Sequence, residues 1–507
     1  MINANEGQTL SRRQFLSTSS RIAIGAGLVA SGLLPGESHG KTPTRRDWEE
    51  LRRRLSGQLL RPNDPGFLAV ARPNNLRYAH TLPAGIARCR SSQDVAQSIL
   101  WAREHRVPLV ARAGGHSYAG YSTTTGLMID VSPIDAARFD ASTGIAQIGG
   151  GVLNAQLYRF LDPHNVTLTH GRCSAVGAAG FLLGGGIGFN MRGNGLACDQ
   201  LVASEIVTAD GKIWPLSDKD HRELFWACRG GGGGNFGINT SFSLQTFATE
   251  PVTVFQILWG AQPEKVFAAL MPALDRAPTK LGSRISLSAV SPRQQQAVYG
   301  QNVGVNLLGQ YRGPRKDVRD ILAPAYAVAS PAHEQTFEMS YWQGQSYLTE
   351  MDPPAFYQER SAFISEGTLG PRVLDVAFHW LRRWPGAGAG CDLRFFQTGG
   401  QVNAVAPDAT AFVHRNSHWL MVVGRNWTAN DSKETIERNQ EWQNQFYRAM
   451  LPFTDGGAYQ NFIDPSLIDW QKAYYGTNVA RLTCVKGSVD PDYVFRFAQS
   501  IPPTRCR

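Results

Sequence analysis

The sequence predicts an α+β protein of two domains, the second built on an antiparallel sheet. Three observations carry that expectation. The chain has 507 residues, 42% of them hydrophobic, which is enough for two cores even with 52 glycines. From about Ala71 to Thr246 short apolar runs alternate with helix-like segments and break at glycine turns. From about Pro251 the texture changes to a series of separate strand-like runs.

In the first domain Asp94 to Glu104 reads as a helix, and Val107 to Arg112 as a buried strand ending in a glycine turn. Met128–Val131 and Gln147–Gly149 read as strands, and Asn154 to Leu161 as a helix. Glycine loops at strand ends are where ligands usually sit. In the second domain Val254–Trp259, Ile285–Ala289, Val303–Leu308, Leu393–Gln397 and Trp419–Val423 read as strands. Gln294 falls in a polar turn between two of them, and Glu434 to Leu451 is a long helix. The last stretch, Tyr459 to Pro503, has a dense motif of its own and is expected to return to the first domain. The expected division is a signal at 1–40, a linker at 41–70, domains at 71–248 and 249–455, and the return at 456–507.

Residues 1–40 read as an export signal. Ser11-Arg12-Arg13-Gln14-Phe15-Leu16 is a twin-arginine motif, followed by an apolar stretch from Ile22 to Leu34. That stretch is too short and too glycine-rich for a stable membrane span. Ser38-His39-Gly40 offers small residues for cleavage, and a membrane anchor is the competing reading. The twin-arginine translocon moves folded proteins, often with a cofactor in place, so the expected location is the periplasm or the medium.

The formal net charge is +9, and about +8 without the first forty residues. Lys and Arg are scattered, with Arg52-Arg53-Arg54 the only run, so the charge reads as solvated surface and no nucleic-acid partner is expected. The seven cysteines, Cys89, Cys173, Cys198, Cys228, Cys391, Cys484 and Cys506, show no CxxC pair and no zinc spacing, so no metal is expected. Export permits disulfides, and an odd count leaves one cysteine over. Which of them pair the spacing does not say.

Four segments carry the chemistry. Arg112 to Ser122 (RAGGHSYAGYS) follows a strand, and its paired glycines let backbone N–H groups approach a charged group. An ordinary turn with a surface histidine is the bland alternative. Gly171 to Asp199 interleaves glycine with apolar residues too densely for a normal helix, which suits backbone wrapped around an extended ligand. Its GxGxxG-like spacings lack a βαβ context. Phe225 to Ile238 contains five consecutive glycines after Arg229, and Tyr474 to Lys486 (YYGTNVARLTCVK) closes the series.

In this order the four segments resemble the berberine-bridge-enzyme-like branch of the vanillyl-alcohol-oxidase flavoproteins, over roughly Ala71 to Pro503. The resemblance implies a two-domain PCMH-type FAD-binding fold with an antiparallel-sheet substrate domain. It implies FAD tethered twice, through His116 to the 8α carbon and through Cys173 to the 6 carbon. The leftover cysteine is then Cys173. Arg112, Gly114, Gly115 and Ser117 match the loop that binds the FAD diphosphate, and Gly177, Gly180 and Gly184 the second glycine segment along the cofactor. Gly237 and Ile238 match the turn at the nucleotide end, and Tyr475 and Asn478 the return that closes over the isoalloxazine. Val176 matches an oxygen-gating position, where a small side chain leaves room for O2.

Tyr459 matches an active-site tyrosine that relays the substrate hydroxyl proton if its pKa is lowered. The sequence departs from the family where several members carry an acidic base after a His-Arg pair. Here His414-Arg415 is followed at the nearest positions by Leu420 and Met421. Tyr459 acts alone, or Tyr341, Tyr347 or His418 assists. The expected activity is hydride transfer from a C–OH group of a carbohydrate or bulky alcohol to FAD, with O2 reduced to H2O2. Tyr341, Trp342, Tyr347, Trp384 and Trp419 are aromatics that could stack on sugar rings. The rivals are a dehydrogenase using a periplasmic electron acceptor and a non-catalytic flavin-loaded binding protein.

Overall fold

The computed structural model describes residues 42–290, 302–365 and 369–506, so the twin-arginine segment and Gln294 lie outside the described residues. Among the described residues no helix is long and apolar enough to cross a membrane.

The first sheet joins β1 (Gln58–Leu60), β2 (Gly85–Arg88), β3 (Leu109–Arg112) and β4 (Leu127–Asp130) in the order β1-β2-β4-β3. β2 and β3 both run parallel to β4, and β1 is antiparallel to β2. Parallel neighbours need a crossover, and the helix Ser92–Glu104 supplies it between β2 and β3. It starts two residues before the expected Asp94 because Ser91 caps it, its hydroxyl accepting from Asp94 N at 3.2 Å. The buried Asp94 carboxylate accepts from the backbone N–H groups of Ser56, Gly57 and Arg90, which ties the N-terminal segment to this helix.

A second, antiparallel sheet takes β5 (Ala137–Asp140), β6 (Ile145–Gly149), β8 (Leu201–Val207), β9 (Ile213–Ser217) and β10 (Ile238–Gln245) in the order β5-β6-β10-β8-β9. A short β7 (Val166–Thr167) pairs with β11 (Phe247–Ala248). The glycine-rich stretch after Gly171 differs from expectation, because Ala178–Leu183 is helical between Gly177 and Gly184. Four of its six side chains, Ala178, Ala179, Leu182 and Leu183, are buried, and that apolar face offsets the low propensity of Gly180.

The third sheet is the expected antiparallel one. It joins β12 (Val252–Trp259), β13 (Leu281–Ala289), β14 (Val303–Tyr311), β15 (His333–Met339), β16 (Phe356–Ile364), β17 (Cys391–Gln397) and β18 (Trp419–Trp427). Their order is β15-β12-β14-β13-β17-β18-β16. β15 and β16 had no counterpart among the expected strands. β15 is a polar edge strand, and β16 carries Gln358, Glu359 and Arg360 in its interior.

Side chains alternate across this sheet. One face sends Ile257, Ile285, Leu307, Phe395 and Met421 into a core with Phe267, Phe378 and Phe446 from covering helices. The opposite face turns Arg284, Arg394, Phe396 and Leu420 the other way, in register with one another. The helix Lys433–Met450 starts where Ser432 accepts from Thr435 N at 3.1 Å.

The C-terminal residues Ala458, Tyr474, Tyr475, Leu482 and Ile501 share one core with Leu182, Phe225 and Phe236. Cys484 and Cys506 form a disulfide there. Cys173 is therefore not the single cysteine left over: Cys89, Cys198, Cys228 and Cys391 are also unpaired, all four buried within the cores.

Candidate active site

One long cleft runs along the first two sheets and under the third, and its wall gathers residues from all four motifs. The turn after β3 forms one side. Gly115 has φ +72°, and a Cβ on it would stand 2.6 Å from Arg112 Nη1. Gly114 packs against the second glycine segment so closely that a Cβ would lie 2.3 Å from Gly177 N. The two glycine motifs are thus one surface. Ser117 closes the turn, its hydroxyl accepting from Tyr121 N at 3.0 Å.

Arg112 lines the cleft, but its guanidinium is committed elsewhere. It donates to the carbonyls of Ala71, Arg72 and Ser122 at 3.1 Å each. Burial pulls it down to about 10, and no acid contact compensates directly. Within the loop expected to bind the FAD diphosphate, Arg112 braces the turn from behind, its donors taken by three carbonyls.

His116 and Cys173, 57 residues apart in sequence, meet at one carboxylate. Asp352 Oδ2 lies 3.7 Å from His116 Nδ1, and the Asp352 charge also acts on the Cys173 thiol. Glu350 approaches the same sulfur, with Cys173 Sγ 3.8 Å from its Oε2. The backbone fixes this arrangement, since Cys173 and Glu350 form a parallel bridge and Glu350 N donates to Arg172 O at 3.0 Å. Arg172 and Arg284 hold the other Glu350 oxygen at 2.8 and 3.1 Å. Burial would raise the Glu350 carboxyl, but the Arg172 and Arg284 charges win and bring it to about 2. The Asp352 carboxyl is pushed up by burial and by Glu350. Burial and the two acids push the Cys173 thiol up to about 12. Burial lowers His116 to about 4, so its ring is neutral at pH 7.

Val176, Gly177, Gly180, Gly237, Ile238 and Tyr475 also line the cleft. A Cβ on Gly180 would meet nothing within 4 Å, so this position opens directly onto it. Tyr475 hangs beneath the glycine run, its hydroxyl donating to Gly231 O at 3.0 Å. Two expected residues stand outside. Gly184 is covered by Asn461, whose Oδ1 would lie 2.0 Å from a Cβ there. Asn478 is buried and donates to Pro407 O at 2.9 Å, which clamps a loop and leaves nothing for a ligand.

Tyr459 reaches the cleft wall, yet its phenol is buried. The hydroxyl accepts from Gly186 N and from Asn461 Nδ2, both at 3.0 Å. Burial drives its pKa upward, and the Asn461 and Gly186 hydrogen bonds work in the opposite direction. Leu420 packs beside it in an apolar cluster with Phe363 and Phe412, and Met421 points to the opposite core. The proposed helpers do not help. The Tyr341 hydroxyl lies 2.8 Å from His170 Nε2, Tyr347 donates to Gln335, and neither they nor His418 line the cleft.

The five aromatics expected to stack on sugars are also placed elsewhere. Trp342 stacks on His170, Trp384 donates to Asn439, and Trp419 is buried against Asp275 on the helix-covered face. The aromatic wall is built from others. Tyr118 and Phe462 stack at 5.2 Å with an interplanar angle of 3°, and Phe396 packs on Phe462 at 5.7 Å. Arg394 stands next to them, paired with Glu359 and with Asp392 at 3.0 Å. A Cβ on Gly424 would fall 2.6 Å from Asp392 Oδ1 and 2.7 Å from Arg394 Nη2, so this strand leaves room for the ion cluster. The sequence flagged none of Arg284, Glu350, Asp352, Arg394 and Phe396. They sit on strands and a turn without local motifs, and only the alternation of β13 and β17 could have put Arg284, Arg394 and Phe396 on the cleft face.

Several buried polar atoms in the cleft wall have no hydrogen-bond partner among the described residues, Ser122 Oγ, Asn154 Oδ1, Arg172 Nη1, Arg284 Nε, Gln460 Oε1 and Gln499 Oε1 among them. Unmet buried groups are costly, and their gathering along one cleft marks a surface built for a polar ligand.

Comparison with known proteins identifies the ligand class. The chain matches the FAD binding domain family over residues 83–217 and the berberine and berberine-like family over 458–502. It is 33% identical over 460 residues to the uncharacterized FAD-linked oxidoreductase YgaK of Bacillus subtilis (strain 168), covering 89% of this chain and 98% of that one. It is 30% identical over 466 residues to the glucooligosaccharide oxidase of Sarocladium strictum, covering 85% and 89%. Among solved structures, the glucooligosaccharide oxidase of Acremonium strictum, whose FAD is 6-S-cysteinyl, 8α-N1-histidyl, superposes with a TM-score of 0.78 at 26% identity, covering 88% and 97%. Matched at both ends and along nearly its whole described length, the chain belongs to the berberine-bridge-enzyme-like FAD-linked oxidoreductases of the vanillyl-alcohol-oxidase family.

Proposed function

We propose that the protein oxidises a C–OH group of a carbohydrate or similar polyol, with FAD held covalently through His116 and Cys173 and O2 reduced to H2O2. The single observation that carries this reading is that His116 and Cys173 both line the cleft beside one carboxylate, Asp352, 3.7 Å from His116 Nδ1 and near enough to act on the Cys173 thiol. The 8α and 6 positions lie on one edge of the isoalloxazine, so two residues that meet one carboxylate fit both. The unpartnered polar atoms and the open face of Gly180 fit an extended polar cofactor. Relatives include a glucooligosaccharide oxidase and a carbohydrate oxidase from Microdochium nivale, which supports the substrate class.

When bound, FAD supplies the hydride acceptor, and the protein supplies orientation and electrostatics. In this reading Gly114, Gly115, Ser117, Gly177 and Gly180 line the cofactor, Gly237 and Ile238 hold its nucleotide end, and Tyr475 holds the glycine run in place. Tyr459 fixes Gly186 and Asn461. Two acids line the cleft. Asp352, 38% exposed and with its pKa raised, is the better acceptor for a substrate hydroxyl proton, whereas Glu350 is held ionised by two arginines. Val176 lines the cleft three residues from Cys173, which supports access of O2. The first forty residues are read as a twin-arginine export signal; protein confined to the cytoplasm of its host would contradict that part.

The test is anaerobic bleaching of the flavin by mono- and oligosaccharides, aromatic alcohols and hydroxy acids, followed by admission of air. Bleaching by a sugar with fast recovery supports the oxidase. Sluggish recovery turns the reading to a dehydrogenase, and no bleaching by any class refutes catalysis of this kind. Asp352→Asn should slow bleaching at least tenfold, with Tyr459→Phe within about threefold of wild type; the reverse order would return the proton to Tyr459.

A further inference from the structure

The cysteine linkage needs more than a cysteine at the right place. The Cys173 thiol is pushed up to about 12, so it is protonated and a poor nucleophile by itself. That protects it from adventitious oxidation but leaves open how it bonds to a ring carbon. The residue at its sulfur is Glu350, which comes from the turn between the helix Tyr341–Leu348 and β16, far from the glycine motifs in sequence. Its position is enforced from both ends. The backbone of residues 172–174 pairs with residue 350 through Glu350 N to Arg172 O and Ser174 N to Glu350 O, and the carboxylate is gripped by Arg172 and Arg284. Arg172 Nη1 has no partner and is buried next to this group.

We propose that Glu350 is the positioning residue for attachment of the flavin to Cys173, aiming the sulfur as the bond forms. The inference rests on the doubly tethered reading above. In the step, the Cys173 S–H bond and the flavin C6–H bond break and an S–C6 bond forms. The thiol proton leaves to solvent, which reaches the sulfur along the exposed side of Glu350, 39% accessible. The C6 hydrogen leaves as a proton, and the electron pair it relinquishes passes to O2. The sum is RSH plus flavin plus O2 giving the thioether and H2O2. Arg172 and Arg284 meet the negative charge that builds on sulfur, and they keep Glu350 ionised as the hydrogen-bond acceptor that orients the thiol. His116 has no contact with Glu350 given by the geometry; its neighbouring acid is Asp352. Loss of Glu350 should therefore affect one linkage and spare the other.

The test uses the full-length protein, purified after expression with FAD available, precipitated in acid, and assayed for flavin in the pellet by fluorescence on a denaturing gel and by intact mass. His116→Ala isolates the cysteine bond, and Cys173→Ala isolates the histidine bond. In the His116→Ala background, Glu350→Gln should lower pellet flavin at least tenfold, with the missing flavin appearing in the acid supernatant. In the Cys173→Ala background, Glu350→Gln should leave pellet flavin unchanged. Recovery of the released flavin shows that the cleft is formed. Should Glu350→Gln not fold, Glu350→Asp keeps the charge for Arg172 and Arg284 but withdraws the carboxylate from sulfur, and the same selective loss is expected. Equal pellet flavin in H116A and H116A/E350Q overturns the role of Glu350. A pellet without flavin in H116A itself overturns the double tether, and this proposal with it. Equal loss in both backgrounds also overturns the proposal, since a merely structural role does not discriminate between the bonds.

Discussion

Lowering the pH from 7 to 4.5 should cost the fold stability through His170, a residue that lies three positions before Cys173 and never touches the cleft. Its Nδ1 is 2.8 Å from Gly171 O, which can only accept, so Nδ1 carries the hydrogen. Its Nε2 is 2.8 Å from the Tyr341 hydroxyl. That hydroxyl already accepts from Asn190 Nδ2 at 2.6 Å, so its one hydrogen is available for Nε2. The ring is then neutral by hydrogen accounting. Protonation would set two hydrogens against each other and place a charge on a ring only 5% exposed. Burial is the larger influence on His170 and lowers it to about 4, from 6.5. The sign follows. The folded state holds fewer protons than the unfolded chain between these values, so stability falls as pH drops below 6.5 and the loss is complete below about 4. Between pH 7 and 4.5 the group should remove about 2 kcal/mol. The assay is urea unfolding at both pH values for wild type and His170→Gln, which keeps an acceptor for Tyr341 but cannot titrate. The gap between the two pH values should shrink by about 2 kcal/mol in the variant. An equal gap in both proteins would refute the reasoning, because His116 and His414, also lowered to about 4, contribute identically to each.

Further outcomes concern the C-terminal return and the cleft. Lys486 is fully buried, with Nζ donating to Asp490 Oδ2 at 2.6 Å and to the carbonyls of Asn235 and Phe495; Lys486→Met leaves the Asp490 charge with only the Val494 and Phe495 N–H groups and should cost about 3–5 kcal/mol in denaturant unfolding. A cost under about 1 kcal/mol would mean that the pair contributes little net. Opening the Cys484–Cys506 loop, whose ends are 22 residues apart, with Cys484→Ser should cost about 3 kcal/mol by the same measurement. Gly180→Leu should leave the helix no weaker, since leucine gains up to about 1 kcal/mol over glycine, yet lower the 450 nm absorbance per protein at least tenfold by filling the cleft. Full flavin content in that variant would take Gly180 out of the cofactor surface.

The separate fates of the expected residues follow from how far their signals reach. The glycine motifs were readable because a close backbone approach, as between Gly114 and Gly177, forbids a Cβ and so writes itself into residue identity. The strands of the third sheet were readable where apolar residues alternate, as in β13 and β18. β16 was not, because its interior Glu359 and Arg360 are satisfied by Arg394, Asp464 and Asn444 from distant segments. Sequence gave the place of Arg112 in a loop but not the direction of its guanidinium, and for the same reason it did not show the bonds of the Tyr459 hydroxyl to Gly186 and Asn461.

By itself the sequence determined the α+β class, the antiparallel strands of the second half and the ordered glycine segments, which rest on local periodicity or on backbone that tolerates no side chain. Only the tertiary structure decided what surrounds them. It set Glu350 beside Cys173 and Asp352 beside His116, turned Arg284, Arg394 and Phe396 toward the cleft, and kept Asn478 and Gly184 out of it. Charges act through space and not along the chain, so the carboxylates and guanidiniums that govern this site could be found only once the strands carrying them had been brought together.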